Sequence, residues 1–415
     1  MLKWPKAKSF GQVLDDNKGA GPGFDLLRMG LAVAILLSHA SGITGNRGFL
    51  SSLLANLFGL SPEVAGAIGA QAGGPLLGPE GPAVTGLARP YTLSLVPMFF
   101  ALSGFLVTGS AFRTRSVPRF LGLRALRIVP ALFVEVMLCA VVLGAIFTTL
   151  PLKEYFTSSG FWIYFGNIIG HVVLTLPGVF ETTSLSKNVN SNLWTLPYEF
   201  YCYVIIAIGM FASVLYNRML FTVLFAIATV ALLIGNSFFG LHVVGGRLTG
   251  ATMVYYFFAG VFIFLWREKI AYRWSYAIVA GVICYVLMMS SRTVYLYPIL
   301  LTYLTVFIGL TSFPRIPYLN SGDYSYGVYL YGYPATQAII AAAPSLRHNL
   351  GAVALLALVM TILFSVASWH LIEKHFLKLK VYIAPRSAKI SAMLHPESFK
   401  PDVPIEGQPI SKTAT

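Results

Sequence analysis

The chain has 415 residues, of which 56% are hydrophobic and only 11% charged, and its mean hydropathy is +0.73. A soluble domain averages about 25% charged side chains, so this composition excludes an ordinary soluble domain and points to a polytopic membrane protein. The net charge of +14 comes with no basic amphipathic helix, RNA-binding motif or zinc-finger spacing, and nucleic acid is not an expected partner. Cys139, Cys202 and Cys284 all fall inside apolar runs, as small buried hydrophobes do. No P-loop, EF-hand or H-E-x-x-H pattern is found, so neither ATP hydrolysis nor a metal is expected.

The first 23 residues form a polar arm with Lys3, Lys6, Lys8 and Lys18, and no cleavable signal peptide is expected. Phe24 to Thr44 is an apolar run long enough to cross a bilayer. Gly45 to Tyr91 follows as a long connection in which Gly48 to Leu60 suits an interfacial helix. Spans two and three are expected near Thr92 to Phe112 and Ile128 to Leu150. A basic loop with Arg113, Arg115, Arg119, Arg124 and Arg127 joins them. A second long connection, Leu152 to Leu193, holds a candidate re-entrant piece at Phe161 to Leu176. Span four runs from Leu196 to Asn217, and spans five to eight fall at about 219–237, 251–266, 274–290 and 294–312. Asp323 introduces span nine, which ends at Ala343, and span ten covers Leu350 to Ile372. The expected fold is an all-α polytopic membrane protein of about ten transmembrane helices. It divides into a cytoplasmic arm (1–23), a transmembrane domain (24–372) and a basic cytoplasmic tail (373–415) expected to be partly disordered.

Orientation follows from charge. With both termini cytoplasmic and alternating spans, 22 of the 29 lysines and arginines lie inside and 7 outside, which satisfies the positive-inside rule. The inner surplus also attracts anionic lipid headgroups or a polyanionic cytosolic substrate.

The first span carries Asp25, Arg28 and His39, and ionisable groups inside a membrane are costly unless paired or functional. Arg28 and His39 are eleven residues apart, so they share one helix face and are separated by about 16 Å along it. Arg28 then sits near the cytosolic surface and His39 in the outer half. The bland alternatives are a snorkelling anchor for Arg28 and a packed interhelical donor for His39. Asp25 is expected to pair with an inner arginine. Arg124 and Arg127, one turn apart, suit the clamping of one phosphate group; their alternative is ordinary positive-inside anchoring. Glu199, at the start of span four, is placed to orient or charge-pair the imidazole of His39. Glu135 is an intramembrane carboxylate with either a structural or a functional reading.

Several short motifs together carry a family resemblance. They are Arg28-x10-His39, FFALSGFL at Phe99 to Leu106 and the Arg124/Arg127 pair, then LWTLPYE at Leu193 to Glu199, SYGVYLY at Ser325 to Tyr331 and SWHLIEKH at Ser368 to His375. In this order and over nearly the whole chain they resemble the acyltransferase 3 family, integral membrane enzymes that O-acylate extracytoplasmic glycans, lipids or small molecules. The resemblance implies an acyl-CoA donor, most often acetyl-CoA, drawn from the cytosol. It also implies His39 as catalytic residue, the arginines as donor contacts and a location in the bacterial inner membrane. Where the family often carries a histidine after the YLY-like stretch, this chain has Gly332, so no second histidine carries over. A stand-alone membrane domain without an SGNH-type extension is expected, about 40 residues following the last span.

The chemistry fits the residues. Acyl transfer from a thioester to an alcohol needs a base for the hydroxyl proton and a stabilised tetrahedral oxyanion. His39 suits the base, with Glu199 beside it, and Arg28, Arg124 and Arg127 suit the phosphates of CoA. Ser103 and Ser325 are candidate oxyanion or positioning donors toward the bound donor, or else helix-packing hydroxyls. Trp194 and Tyr198 suit a sugar site on the acceptor side, or an aromatic belt. The competing class is a multi-span transporter of a lipid-linked sugar or other small solute, which ten spans with buried charges fit equally well.

Overall fold

Each expected span is occupied by a helix in the computed structural model, which describes residues 7–19, 21–46, 89–181, 187–239, 243–244, 247–290, 293–314 and 322–383. A short helix α1 (Phe10–Asp16) precedes the first span, α2 (Phe24–Ile43). Then come α3 (Arg89–Thr114), α4 (Val117–Met137), two short helices α5 (Leu152–Thr157) and α6 (Ser159–Tyr164), and α7 (Leu196–Phe211). The remainder is α8 (Arg218–Phe239), α9 (Gly250–Leu265), α10 (Trp274–Met288), α11 (Pro298–Leu310), α12 (Tyr324–Ala342) and α13 (Leu350–Ser368). A two-residue antiparallel pairing of Val243–Val244 with Arg247–Leu248 lies between α8 and α9. The expected interfacial helix at Gly48 to Leu60 lies outside the described residues.

Among the described residues, six helices are long and apolar enough to cross a membrane, and Gly250–Leu265, Trp274–Met288 and Pro298–Leu310 are shorter apolar helices. On α8 the residues Met219, Val223, Ile227, Val230 and Ile234 are all more than half exposed. Their spacing makes one continuous apolar stripe, which only a lipid environment accommodates. The chain is a multi-pass integral membrane protein. Inside the bundle, α3 and α9 meet backbone to backbone. A Cβ on Gly104 would stand 1.9 Å from the Phe257 carbonyl oxygen, and one on Gly260 2.1 Å from that of Ala101. Small residues permit such close helix approach where lipid supplies no hydrophobic drive between helices.

Three local features depart from expectation. The basic loop is helical: Ser116 adopts the extended backbone of an N-cap and Pro118 sits in the first turn, a favoured start signal. Arg119, Arg124 and Arg127 therefore ride on α4. The N-terminal arm is docked, since Ser9 and Gln12 form a reciprocal capping box on α1 and Phe10 stacks on Tyr303 with centroids 5.1 Å apart. The first part of the tail continues α13 through a π-helical stretch, Trp369–Glu373, and a further turn at Lys374–Lys378.

The descent into the bundle comes later than the expected re-entrant piece. Phe161 to Leu176 holds α6 and a 3-10 turn, Phe165–Ile169, closed by Gly170 at φ +87°. A second 3-10 helix, Ser191–Thr195, then runs directly into α7. Asn190 and Asn192 meet α12 at the carbonyls of Leu330 and Tyr329, about 10 Å along that helix from its start. Pro334 explains one of these contacts. It has no N–H for the carbonyl four residues earlier, and Asn190 Nδ2 donates to that Leu330 oxygen at 2.9 Å.

Candidate active site

The residues read as donor contacts gather around Asp323, which directly precedes α12. Arg28 of α2 donates from Nη1 to its Oδ2 at 3.2 Å, and Arg127 of α4 pairs with the same oxygen. Oδ1 accepts from Ser325 Oγ at 2.9 Å, so this hydroxyl holds the carboxylate. The three charged side chains keep 22–32% of their surface accessible. Arg124 donates to Ser110 Oγ at 3.2 Å, and its buried Nε has no hydrogen-bond partner among the described residues. Asp25, expected to pair with an inner arginine, lies within electrostatic range of Arg28 and Arg127. It forms no ion pair within 4 Å among the described residues, because both arginines turn to Asp323.

His39 stands farther along α2. Its ring meets Tyr333 of α12 edge-on, with centroids 4.9 Å apart, and it is only partly buried. Asn192 stands one turn away, its Nδ2 donating to the carbonyl of Tyr329, four residues before Tyr333 on α12. Glu199, expected in that position, instead accepts the Tyr203 hydroxyl and lies within electrostatic range of Arg124 and Arg127. The depth at which α7 starts is the reason. The chain descends past His39 at Asn192 before the helix begins, which carries Glu199 toward the arginines.

Ser103 of α3 lies near the Tyr203 hydroxyl. Trp194 and Tyr198 pack edge-on at 6.1 Å, and the Tyr198 ring fills the space over Gly250, where a Cβ would come within 1.9 Å of it. Glu135 is fully buried; its Oε1 accepts from Asn190 Nδ2 at 2.8 Å and from Cys139 Sγ at 3.0 Å, and its Oε2 has no partner among the described residues. A π-helical stretch, Leu138–Leu143, follows directly. Near the inner end, Tyr331 donates to Ser368 Oγ and Ser368 to Glu373 Oε1. Among the described residues no cluster of His, Cys, Asp or Glu suits a metal ion.

Sequence reasoning did not single out Asn190 or Asn192, and read Asp323 only as a helix start. The alternation of Asn188, Asn190 and Asn192 ahead of LWTLPYE was the available signal, since amides in a segment flanked by apolar spans require buried partners.

Comparison with known proteins agrees with this architecture. The acyltransferase 3 family model, described as an acyltransferase domain, matches residues 22–370. Over 313 residues the chain is 28% identical to an O-acetyl transferase of Shigella phage Sf6, covering 71% of this chain and 90% of that protein. No solved structure matches. With a match across most of its length and a multi-pass helical architecture, the chain belongs to the acyltransferase 3 family and is an integral membrane acyltransferase.

Proposed function

We propose that this enzyme moves an acyl group from acyl-CoA on the cytosolic side to a hydroxyl of an extracytoplasmic glycan or glycolipid. The name of the phage relative, O-acetyl transferase, favours acetyl as the group and acetyl-CoA as the donor. The orientation rests on the placement of 22 of the 29 basic residues on the side of the termini. One observation carries the reading: Arg28 and His39 share one face of a single helix, with the imidazole about 16 Å beyond the guanidinium along it. Arg28, Arg124 and Arg127 hold donor phosphates, and the Nε of Arg124, unpartnered among the described residues, is a donor group suited to such an anion. The flexible pantetheine arm then spans the distance to His39.

In the transfer, His39 takes the proton of the acceptor hydroxyl as its oxygen attacks the thioester carbonyl. The tetrahedral intermediate collapses with cleavage of the C–S bond, and the imidazolium returns the proton to the leaving thiolate, giving the ester and free CoA. Purified protein in lipid nanodiscs, given radiolabelled acetyl-CoA and envelope glycolipid, is expected to place label in a hydroxylamine-labile ester. Transport of the glycolipid without label transfer would instead identify a carrier. Cysteine labelling of intact cells is expected to reach Pro79→Cys but neither Arg115→Cys nor Ser411→Cys; external labelling of the last would overturn the even span count.

A further inference from the structure

We infer that Asn192 is the positioning residue for His39, holding the imidazole in one tautomer with its other ring nitrogen free for the acceptor hydroxyl; this rests on the proposed role of His39 as base. A histidine acts as a base only through an unprotonated nitrogen, and which nitrogen that is depends on the hydrogen bond made by the other. Asn192 is suited to fix it. Its Nδ2 donates to the Tyr329 carbonyl, which orients the amide and leaves Oδ1 as the acceptor for an imidazole N–H.

The residue is immobilised through its backbone N–H, its carbonyl and its Nδ2. Asn192 is 2% exposed. Its backbone N–H donates to Asn190 Oδ1 at 3.0 Å, and its carbonyl accepts from Thr195 Oγ1 at 3.0 Å and from the Tyr329 hydroxyl at 3.3 Å. Asn190 is in turn held by Glu135 Oε1 at 2.8 Å and by the Leu330 carbonyl at 2.9 Å, the one that Pro334 leaves without a helical donor. An unbroken line of hydrogen bonds therefore runs from Glu135 through Asn190 to Asn192, tied twice to α12, and ends one turn from the Tyr333 ring that meets His39. Hydrogen bonds behind a reacting side chain hold it to its productive geometry, and an amide does for a histidine what a carboxylate does in other acyl-transfer sites.

The test combines kinetics with a spectroscopic signature. In nanodiscs, Asn192→Ala is expected to lower kcat for acyl transfer by about 10- to 100-fold while the KM for acetyl-CoA changes less than about twofold, because the donor contacts lie elsewhere. In ¹⁵N NMR of histidine-labelled wild-type protein, the His39 resonances, assigned by their loss in His39→Ala, are expected to show one protonated and one unprotonated ring nitrogen. Asn192→Ala is expected to merge them toward an average of the two tautomers. A kcat within twofold of wild type in Asn192→Ala, or tautomer averaging already present in the wild-type ring, would overturn the inference. The wild-type spectrum decides even if the variant does not fold. A wild-type protein with no transferase activity, or a fully active His39→Ala, would refute the proposed function and is distinguishable from either result.

Discussion

The two levels of the α2 face are held by different physics. At the Arg28 level, two guanidiniums converge on Asp323, and the partners keep part of their surface accessible. At the His39 level the neighbours are uncharged: an aromatic edge from Tyr333 and, one turn along α12, an amide that is itself tied down. An anion can exchange with Asp323 for the arginines, because a charge-assisted contact transfers readily from one oxyanion to another. The amide at His39 has no such substitute and acts by geometry. One level is suited to binding and release, the other to chemistry, so substitutions at the two should separate into effects on KM and on kcat.

The largest expected effect is at the upper level. His39→Ala should lower the transfer rate by about 10² to 10⁴, the usual contribution of a general base, with acetyl-CoA binding by calorimetry nearly unchanged. A purified His39→Ala enzyme that works at close to the wild-type rate would return this residue to a packing role and remove the contrast.

The lower level should behave in the opposite way. Arg127→Ala should weaken donor binding by about 1–3 kcal/mol, the range for a hydrogen bond to a charged group, and partial solvent access places it toward the low end. Arg127→Lys should restore only part of the loss, for lysine lacks the planar fork. Unchanged donor affinity in the Arg124/Arg127 double alanine variant would assign both residues to anchoring alone.

Much of this contrast was legible in the sequence, and the rest was hidden for definite reasons. Helix periodicity alone puts Arg28 and His39 on one face, and apolar runs locate the spans because lipid imposes that length. Arg124 and Arg127 were found as a pair, but the helix that carries them begins earlier than hydropathy suggests, since Ser116 and Pro118 start it within a basic stretch. Glu199 was set beside His39 on the assumption that α7 starts at the membrane surface. It starts inside the bundle, because asparagines before it bind α12 carbonyls, and non-helical backbone at such depth is tolerated when buried in protein. That pairing joins residues about 140 apart in sequence, a separation that local pattern does not reach.

A moderate effect is expected along the line that supports His39. Glu135→Ala leaves the Cys139 thiol and one contact of Asn190 without their acceptor, and should destabilise the protein by about 1–3 kcal/mol, the cost of unsatisfied buried polar groups. Glu135→Gln keeps Oε1 for both donors and alters only the oxygen that has no partner among the described residues, so its loss should be smaller. Thermal unfolding in nanodiscs orders the two; equal losses would mean that the Oε1 contacts are not what Glu135 contributes.

The smallest effect is expected at Ser325, where the two levels make opposite demands on one hydroxyl. As an oxyanion donor it would have to point at the reacting carbonyl, and its loss would lower kcat by about 10² to 10³. Its Oγ donates instead to Asp323 Oδ1, from the first turn of α12 and on the carboxylate that both arginines hold. As a support for that carboxylate it contributes about 0.5–1.5 kcal/mol, less where water reaches the pair. Ser325→Ala should therefore leave kcat within about twofold and alter the donor KM by no more than about tenfold, while Ser325→Thr, which keeps the hydroxyl, stays closer to wild type. Steady-state kinetics with varied acetyl-CoA separates the cases, and a hundredfold fall in kcat at constant KM would move Ser325 from the binding level to the chemical one.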